Sequence, residues 1–127
     1  MISIENSYVT GLKQRGMRKL ALVIGINVYD DKDFLPSLDK AASDAQTIAK
    51  TLQEDLNFDI VDVLVTPAQT TYVELRRAWI EFLQKLRADD VAVVYFAGHG
   101  IQIGGQSFLL PRDTPSEAKD FGRHALN

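Results

Sequence analysis

The sequence has 127 residues, 46% hydrophobic and 24% charged, a composition typical of one globular domain with a single core. The formal net charge of −3 and a pI near 5.3 provide no basic surface for nucleic acid or an anionic membrane, so we expect neither as a partner. No apolar run approaches the roughly 20 residues of a membrane span, and no secretory signal pattern is present, which makes a cytoplasmic protein the default prediction. Cysteine is absent, which excludes disulfides and thiolate metal sites within these residues.

The first half of the chain predicts a strand followed by a helix. Residues 1–18 show no sustained hydrophobic periodicity, and we expect them to form a flexible or loosely docked leader. Residues 20–26 (LALVIGI) are continuously apolar, which predicts a strand covered on both faces of a parallel sheet. Ser37 can cap the helix that follows, because apolar residues recur at three- and four-residue spacing from Leu38 to Leu56.

A second strand and a second helix come next. Residues 58–65 (FDIVDVLV) mix alternation with β-branched residues, which predicts a strand that Pro67 ends. Thr71 and Glu74 form a capping box at the start of a helix. The predicted buried face of this helix consists of Leu75, Ala78, Trp79, Phe82, Leu83 and Leu86.

Residues 91–97 (VAVVYFA) predict a third buried strand. Two short runs around Gly104 and Gly105 then predict a hairpin. Strands that alternate with helices in this way favour an α/β fold of three layers, in which helices cover both faces of a mostly parallel sheet.

A histidine between two glycines, Gly98-His99-Gly100, directly follows the third predicted strand. Ligands collect at the carboxyl ends of parallel strands, and glycines on both sides leave the imidazole open to approach. This spacing is compatible with a proton-transferring histidine and equally with a hydrogen-bonded structural one. A dinucleotide loop is disfavoured because a hairpin, not a helix, follows the glycines. His124 stands alone and is expected to face solvent, so no histidine pair has metal-ligand spacing.

Four segments together resemble the large-subunit (p20-like) region of the caspase clan, closest to metacaspases and bacterial caspase-like peptidases. They are RKLALVIGINVY, LPSLDKAASDAQTIAKTL, VAVVYFAGHG and FLLPRDT, and they fall within about residues 18–114. The resemblance implies a three-layer αβα caspase-haemoglobinase-like fold in residues 19–127 and a cysteine-type endopeptidase activity.

The resemblance also implies roles for individual residues. His99 would act as general base and acid toward the catalytic cysteine, and the Gly100 N–H would contribute to an oxyanion hole. Asp44 would lie in the pocket that selects Arg or Lys at the cleavage site, although an early-helix acid favoured by the helix dipole is the structural alternative. Asp113 resembles one acid of the calcium site of calcium-dependent metacaspases, but one carboxylate is not a site, so we expect neither a metal nor another cofactor.

The catalytic cysteine of this family follows its histidine by about 50 residues, at the end of the next strand. We therefore expect a parent peptidase that cleaves after Arg or Lys, represented here by an inactive portion truncated before the cysteine strand. The first expected partner is a protein or peptide substrate. Truncation would also expose an apolar sheet edge, so we expect either a complementary C-terminal fragment or a second copy of the chain to pair with it.

Two other functions stay open at this point. The first is a non-catalytic caspase-like binding or regulatory module. The second is a phospho-acceptor receiver-like domain, suggested by the acidic stretch YDDKD after the first predicted strand. A receiver also needs an aspartate at the end of its third strand, where Gly98 and His99 stand here.

Overall fold

The computed structural model describes residues 17–115 and the backbone of residues 2–10. The elements in chain order are β1 (Ile2–Thr10), β2 (Lys19–Gly25), α1 (Ala41–Glu54), β3 (Ile60–Leu64), a short 3-10 helix (Pro67–Gln69), α2 (Tyr72–Lys85), β4 (Val91–Ile103) and β5 (Gln106–Leu109). No helix among the described residues is long and apolar enough to span a membrane.

The five strands form one sheet in the order β1-β4-β2-β3, and β5 pairs with β4 beside this path. The central strand β2 runs parallel to both β3 and β4. The outer strands β1 and β5 are antiparallel to β4. The two most apolar runs of the sequence thus form β2 and the first part of β4, where the sheet is covered on both faces.

One helix packs on each face of the sheet, and the alternation of side chains along β2 divides the core in two. The α1 side contains small residues, which let the helix approach closely: Ala21, Val23, Ala41, Ala45 and Ala49. The α2 side contains larger ones: Leu20, Leu22, Ile24, Phe82 and Phe96. The predicted three-layer αβα fold is confirmed.

Helix α1 begins later than predicted. It starts at Ala41, and the Ala42 N–H donates to the Asn27 Oδ1 at 3.0 Å. Asn27, at the end of the β2 segment, therefore accepts a hydrogen bond from a free N–H of the first helical turn. The prediction that Ser37 caps the helix was wrong. The cap comes from a residue 15 positions earlier in the chain, which local sequence rules do not consider.

Helix α2 begins where the capping box predicts it. The Thr71 side chain accepts a hydrogen bond from the Glu74 N–H at 3.3 Å. The predicted buried face was too wide, because Trp79 is 40% and Leu83 is 47% exposed. Leu75 and Phe82 are the fully buried residues of the helix, and Trp79 instead stacks on Phe82 at a ring-centroid distance of 6.4 Å.

Strand β4 is longer than predicted. Its parallel ladder with β2 ends at the pair Gly25 and Ala97, but the strand continues through the Gly98-His99-Gly100 segment to Ile103. The antiparallel ladder with β5 begins at Gly100 and extends the strand beyond the parallel part of the sheet. The predicted hairpin is confirmed: Gly104 and Gly105 have φ angles of 58° and 82°, the conformation that the two-residue turn requires.

The N-terminal segment also differs from the prediction. Ile2–Thr10 forms a strand, whereas a flexible or loosely docked leader was predicted for residues 1–18, and residues 11–16 lie outside the described part of the chain. The strand was missed because polar residues interrupt its apolar ones, and pairing with a distant strand is not visible in local sequence. β1 pairs with β4 from Ile2 opposite Gly100 to Thr10 opposite Ala92. The sheet edge predicted to be exposed is thus occupied by β1.

An ion pair fastens the start of β2 to the turn before β4. The Arg18 guanidinium donates to both Asp90 carboxylate oxygens, at 3.1 and 2.7 Å, and the Arg87 N–H donates to the same carboxylate at 2.8 Å. The hydrogen bonds from Arg18 hold the pKa of Asp90 below its ordinary value of 3.8. A carboxyl whose pKa is lowered by folding stabilises the folded state when it is ionised.

We expect the Asp90 contribution to be complete above the pKa of the unfolded chain and to disappear as the pH falls through the lower folded pKa. Urea unfolding of the wild type and of Asp90→Asn between pH 7 and pH 3 measures this. The wild type is expected to be more stable at pH 7, and the difference between the two proteins is expected to shrink on acidification. A pH-independent difference would contradict the role of Asp90 ionisation.

Candidate active site

His99 lies on β4 two residues beyond the last pair with β2, at the carboxyl edge of the parallel strands. The His99 Nε2 is 2.7 Å from the Pro36 carbonyl oxygen. A carbonyl accepts and does not donate, so this contact assigns the ring hydrogen of neutral His99 to Nε2. The Nδ1 then carries the lone pair, and it is buried without a hydrogen-bond partner among the residues that the structure describes.

The backbone of His99 is fixed as well. Its N–H donates to the Tyr29 hydroxyl oxygen at 2.7 Å, and its carbonyl accepts from the Leu110 N–H at 3.0 Å. The Tyr29 and His99 rings lie 4.9 Å apart, tilted by 59°. Tyr29 is fully buried, and this burial raises the pKa of its hydroxyl well above the ordinary value.

Tyr29 and Pro36 belong to the same loop, between β2 and α1, and neither was predicted as a site residue. The loop is itself held: the Leu38 N–H donates to the Asn27 carbonyl at 2.8 Å, and the Asp30 N–H donates to the Arg112 carbonyl at 3.0 Å. Pro36 contributes a backbone carbonyl, which leaves no side-chain signature in the sequence. Tyr29 precedes the acidic stretch that dominates this loop, and a tyrosine beside a strand end is by itself a weak signal.

The glycines around His99 have different functions. A Cβ at Gly98 would lie 2.7 Å from the Tyr29 hydroxyl oxygen, so this glycine makes room for the tyrosine. This steric role is additional to the predicted one, which is to leave the imidazole open to approach. Because the Leu110 N–H donates to the His99 carbonyl, Gly100 and Leu109 form a non-hydrogen-bonded pair. The Gly100 N–H therefore lies on the β4 edge away from β5, where Ile2 of β1 is opposite it, and its oxyanion role stays a prediction.

The imidazole of His99 is less accessible than the flanking glycines predict. The His99 side chain is buried, with 4% of the residue exposed. Pro36, whose carbonyl contacts the ring, is exposed. The imidazole therefore lies directly beneath the surface of the β2–α1 loop.

Asp44 lies in the first turn of α1 and is half-buried, and its N–H donates to the Lys40 carbonyl at 2.8 Å. This turn packs on the end of β2, since a Cβ at Gly25 would lie 2.5 Å from the Ala41 carbonyl oxygen. Asp44 and His99 are therefore at the same edge of the sheet. The role of Asp44 in substrate selection stays a prediction.

Asp113 has a structural function that the sequence did not reveal. Its Oδ1 accepts a hydrogen bond from the Tyr72 N–H at 2.8 Å, at the first residue of α2. Asp113 also lines an open cavity of about 510 Å³ together with Asp30, Asp31, Lys32, Asp33, Thr114 and Pro115. Within residues 17–115 no group of three or more His, Cys, Asp or Glu side chains is arranged to hold a metal ion. The calcium dependence suggested by Asp113 stays untested.

Comparison with known proteins agrees with this architecture. The caspase domain family (Peptidase_C14) matches residues 18–122, which include β2 to β5 and both helices. The chain is 34% identical over 98 residues to the human mucosa-associated lymphoid tissue lymphoma translocation protein 1 and 33% identical to its mouse homolog. These matches cover 77% of the chain, which spans 11% of the length of each curated relative. The matched region contains His99 together with Tyr29 and Pro36, which contact it. Because the family model covers most of the chain, the chain belongs to the caspase domain family.

Proposed function

We propose that this domain is the histidine-bearing part of a cysteine endopeptidase that cleaves peptide bonds after Arg or Lys. The observation that carries the proposal is the state of His99: its Nε2–H is bound to the Pro36 carbonyl, and its buried Nδ1 has no partner in the described part of the chain. Membership of the caspase domain family supports protease chemistry in the parent protein.

The proposed reaction uses the Nδ1 as the working nitrogen. It accepts the proton of a cysteine thiol, the thiolate forms a bond to the peptide carbonyl carbon, and the imidazolium returns the proton to the leaving amine as the C–N bond breaks. Water then hydrolyses the thioester. The Pro36 carbonyl stabilises the imidazolium by accepting the Nε2–H. The Gly100 N–H is proposed to stabilise the oxyanion after β1, whose Ile2 lies opposite Gly100, leaves this edge of β4.

The thiol must come from outside these 127 residues, because they contain no cysteine. A buried acceptor without a partner costs roughly 1–3 kcal/mol. A thiol placed against the Nδ1 would satisfy that acceptor and explain why the imidazole is buried rather than open to water. We therefore propose that the cysteine-bearing segment packs directly on His99.

The edge of β4 that faces away from β2 is the proposed site for a complementary segment or a second copy of the chain. β1 pairs with this edge from Ala92 to Gly100, so another strand can pair there only after β1 leaves. The cytoplasmic location expected from the sequence is likewise a proposal.

The experiment that tests the function is an activity assay on the full-length protein. It is offered fluorogenic peptides with Arg, Lys or Ala at the cleavage position, and a matching Arg chloromethyl ketone that alkylates an active thiol. The proposal expects turnover of the Arg and Lys peptides and one covalent adduct by mass spectrometry. The absence of both turnover and adduct would contradict the proposal.

The alternative function is a non-catalytic binding module, and the burial of His99 is the observation that favours it. Such a module would bind the Arg peptide without cleaving it and would not react with the chloromethyl ketone. Fluorescence anisotropy of a labelled peptide, measured beside the turnover assay, distinguishes the two functions.

Asp44→Asn is expected to lower kcat/KM for the Arg peptide by about 10- to 100-fold, because one charge-assisted contact to the substrate guanidinium is lost. Turnover of any slowly cleaved neutral peptide should change little. Glu54→Gln is the matched control, since Glu54 is an exposed acid in the last turn of the same helix. An equal loss in both variants would exclude a specific role for Asp44.

A further inference from the structure

Strands β2 and β5 pair with the same edge of β4, which we call its inner edge. Neither strand accepts the His99 N–H on this edge. On this edge the Ile26 N–H donates to the Ala97 carbonyl at 2.9 Å, which ends the contact with the β2 segment. The pairs with β5 begin only at Gly100. The His99 N–H falls between the two ladders, and the Tyr29 hydroxyl accepts its hydrogen bond in place of a strand.

The fit of Tyr29 into this gap is tight. Its side chain is fully buried, its ring packs against the imidazole, and its hydroxyl occupies the space that a side chain at Gly98 would need. Burial raises the pKa of the hydroxyl above its ordinary value of 10, so the group is neutral near neutral pH. A neutral hydroxyl retains its acceptor lone pairs and needs no counter-charge.

We propose that Tyr29 is a positioning residue, whose hydroxyl fixes the backbone of His99 so that the ring meets Pro36 through Nε2 and leaves Nδ1 available. One loop then holds the histidine at two points, through its backbone and through its ring. This inference rests on the proposed function for its effect on turnover, and on the contacts alone for its effect on the imidazole.

Tyr29→Phe tests the role, because it keeps the ring packing and removes only the acceptor. In the full-length protein we expect kcat to fall about 10- to 100-fold with KM within about twofold, since a misplacement of about 1 Å in a catalytic group can cost this much. Tyr72→Phe on α2 is the control for the same chemical change. A kcat that stays within twofold of the wild type would overturn the proposal.

The second readout does not depend on activity. The chain has two histidines, so the ring nitrogens of His99 can be assigned by 15N NMR of the 127-residue protein with a His124→Ala variant. The wild type is expected to show one neutral tautomer with the hydrogen on Nε2, and Tyr29→Phe is expected to show a mixture. An unchanged nitrogen pattern in Tyr29→Phe overturns the positioning role, whatever happens to turnover.

Gly98→Ala provides an independent route if Tyr29→Phe does not fold. Its Cβ would lie 2.7 Å from the Tyr29 hydroxyl oxygen and 2.9 Å from the Phe96 Cζ. We expect it to displace the hydroxyl, with some movement of the Phe96 ring, and to produce the same mixture of tautomers. A single Nε2–H tautomer in Gly98→Ala would count against the proposal. Failure of the proposed function is recognised separately, because full turnover in His99→Ala would refute the peptidase mechanism and leave the nitrogen spectra as the test of Tyr29.

Discussion

Replacement of His99 by alanine is expected to lower kcat/KM for an Arg peptide by about 100-fold or more in the full-length protein, the range of a general acid–base catalyst. The substitution removes the Nδ1 that is proposed to take the thiol proton and the Nε2–H that binds the Pro36 carbonyl. The loss should appear in kcat, because in the proposed mechanism the imidazole acts on the nucleophile and the leaving group and not on substrate binding.

A buried side chain is removed in this variant, so stability has to be measured beside turnover. His99→Gln is the closer replacement, since its amide can still donate to the Pro36 carbonyl but cannot act as a base near neutral pH. We expect His99→Gln to unfold closer to the wild type than His99→Ala and to be equally inactive. His124→Ala is the control for loss of a histidine. Normal turnover in folded His99→Gln would refute the proposed mechanism.

The parts of the fold that the sequence predicts are those determined by neighbouring residues. The apolar runs of β2 and β4, the Thr71 cap of α2 and the Gly104-Gly105 turn all have local signals within a few positions. The start of α1 was wrong because Asn27 acts across 15 residues. β1 was missed because its partner strand lies some 90 residues away, and edge pairing leaves little pattern in the sequence.

The same distinction applies to the site. The position of His99 at the sheet edge follows from one apolar run and two glycines, and a sequence can show it. Its contacts with Tyr29 and Pro36 join residues 70 and 63 positions apart. These contacts depend on how the β2–α1 loop folds over the edge, which no local rule determines. The sequence therefore locates the histidine, and the tertiary structure shows which of its ring nitrogens has a hydrogen-bond partner.

Gly25 is the position where one added carbon is expected to destabilise the fold most, because it lies where α1 touches the sheet. A Cβ there would be 2.5 Å from the Ala41 carbonyl oxygen, 2.7 Å from the Ala45 Cβ and 2.9 Å from the Ala42 Cα. Two of these three atoms belong to the helix backbone, which cannot turn aside as a side chain can. The first turn of α1 would have to move away from β2.

We expect Gly25→Ala to lower the free energy of unfolding by about 3 kcal/mol, the upper range for overpacking, and Tm by roughly 10 °C. Gly104→Ala is the comparison: nothing lies within 4 Å of its Cβ, and only its φ of 58° opposes a side chain, which costs about 1–2 kcal/mol. Urea and thermal unfolding measure both. Gly25 does not have the positive φ of Gly104, so equal losses would show that the helix–sheet contact costs no more than a side chain in the turn conformation.

Movement of the first turn of α1 in Gly25→Ala is expected to affect the site. This turn carries Asp44, and its Ala42 N–H donates to the Asn27 side chain. Asn27 also binds Leu38 and so fixes the loop that contains Pro36. If Gly25→Ala folds at low temperature, its His99 ring nitrogens should show the tautomer mixture expected for loss of the Pro36 contact. A destabilised variant with an unchanged imidazole would mean that the loop holds His99 independently of α1.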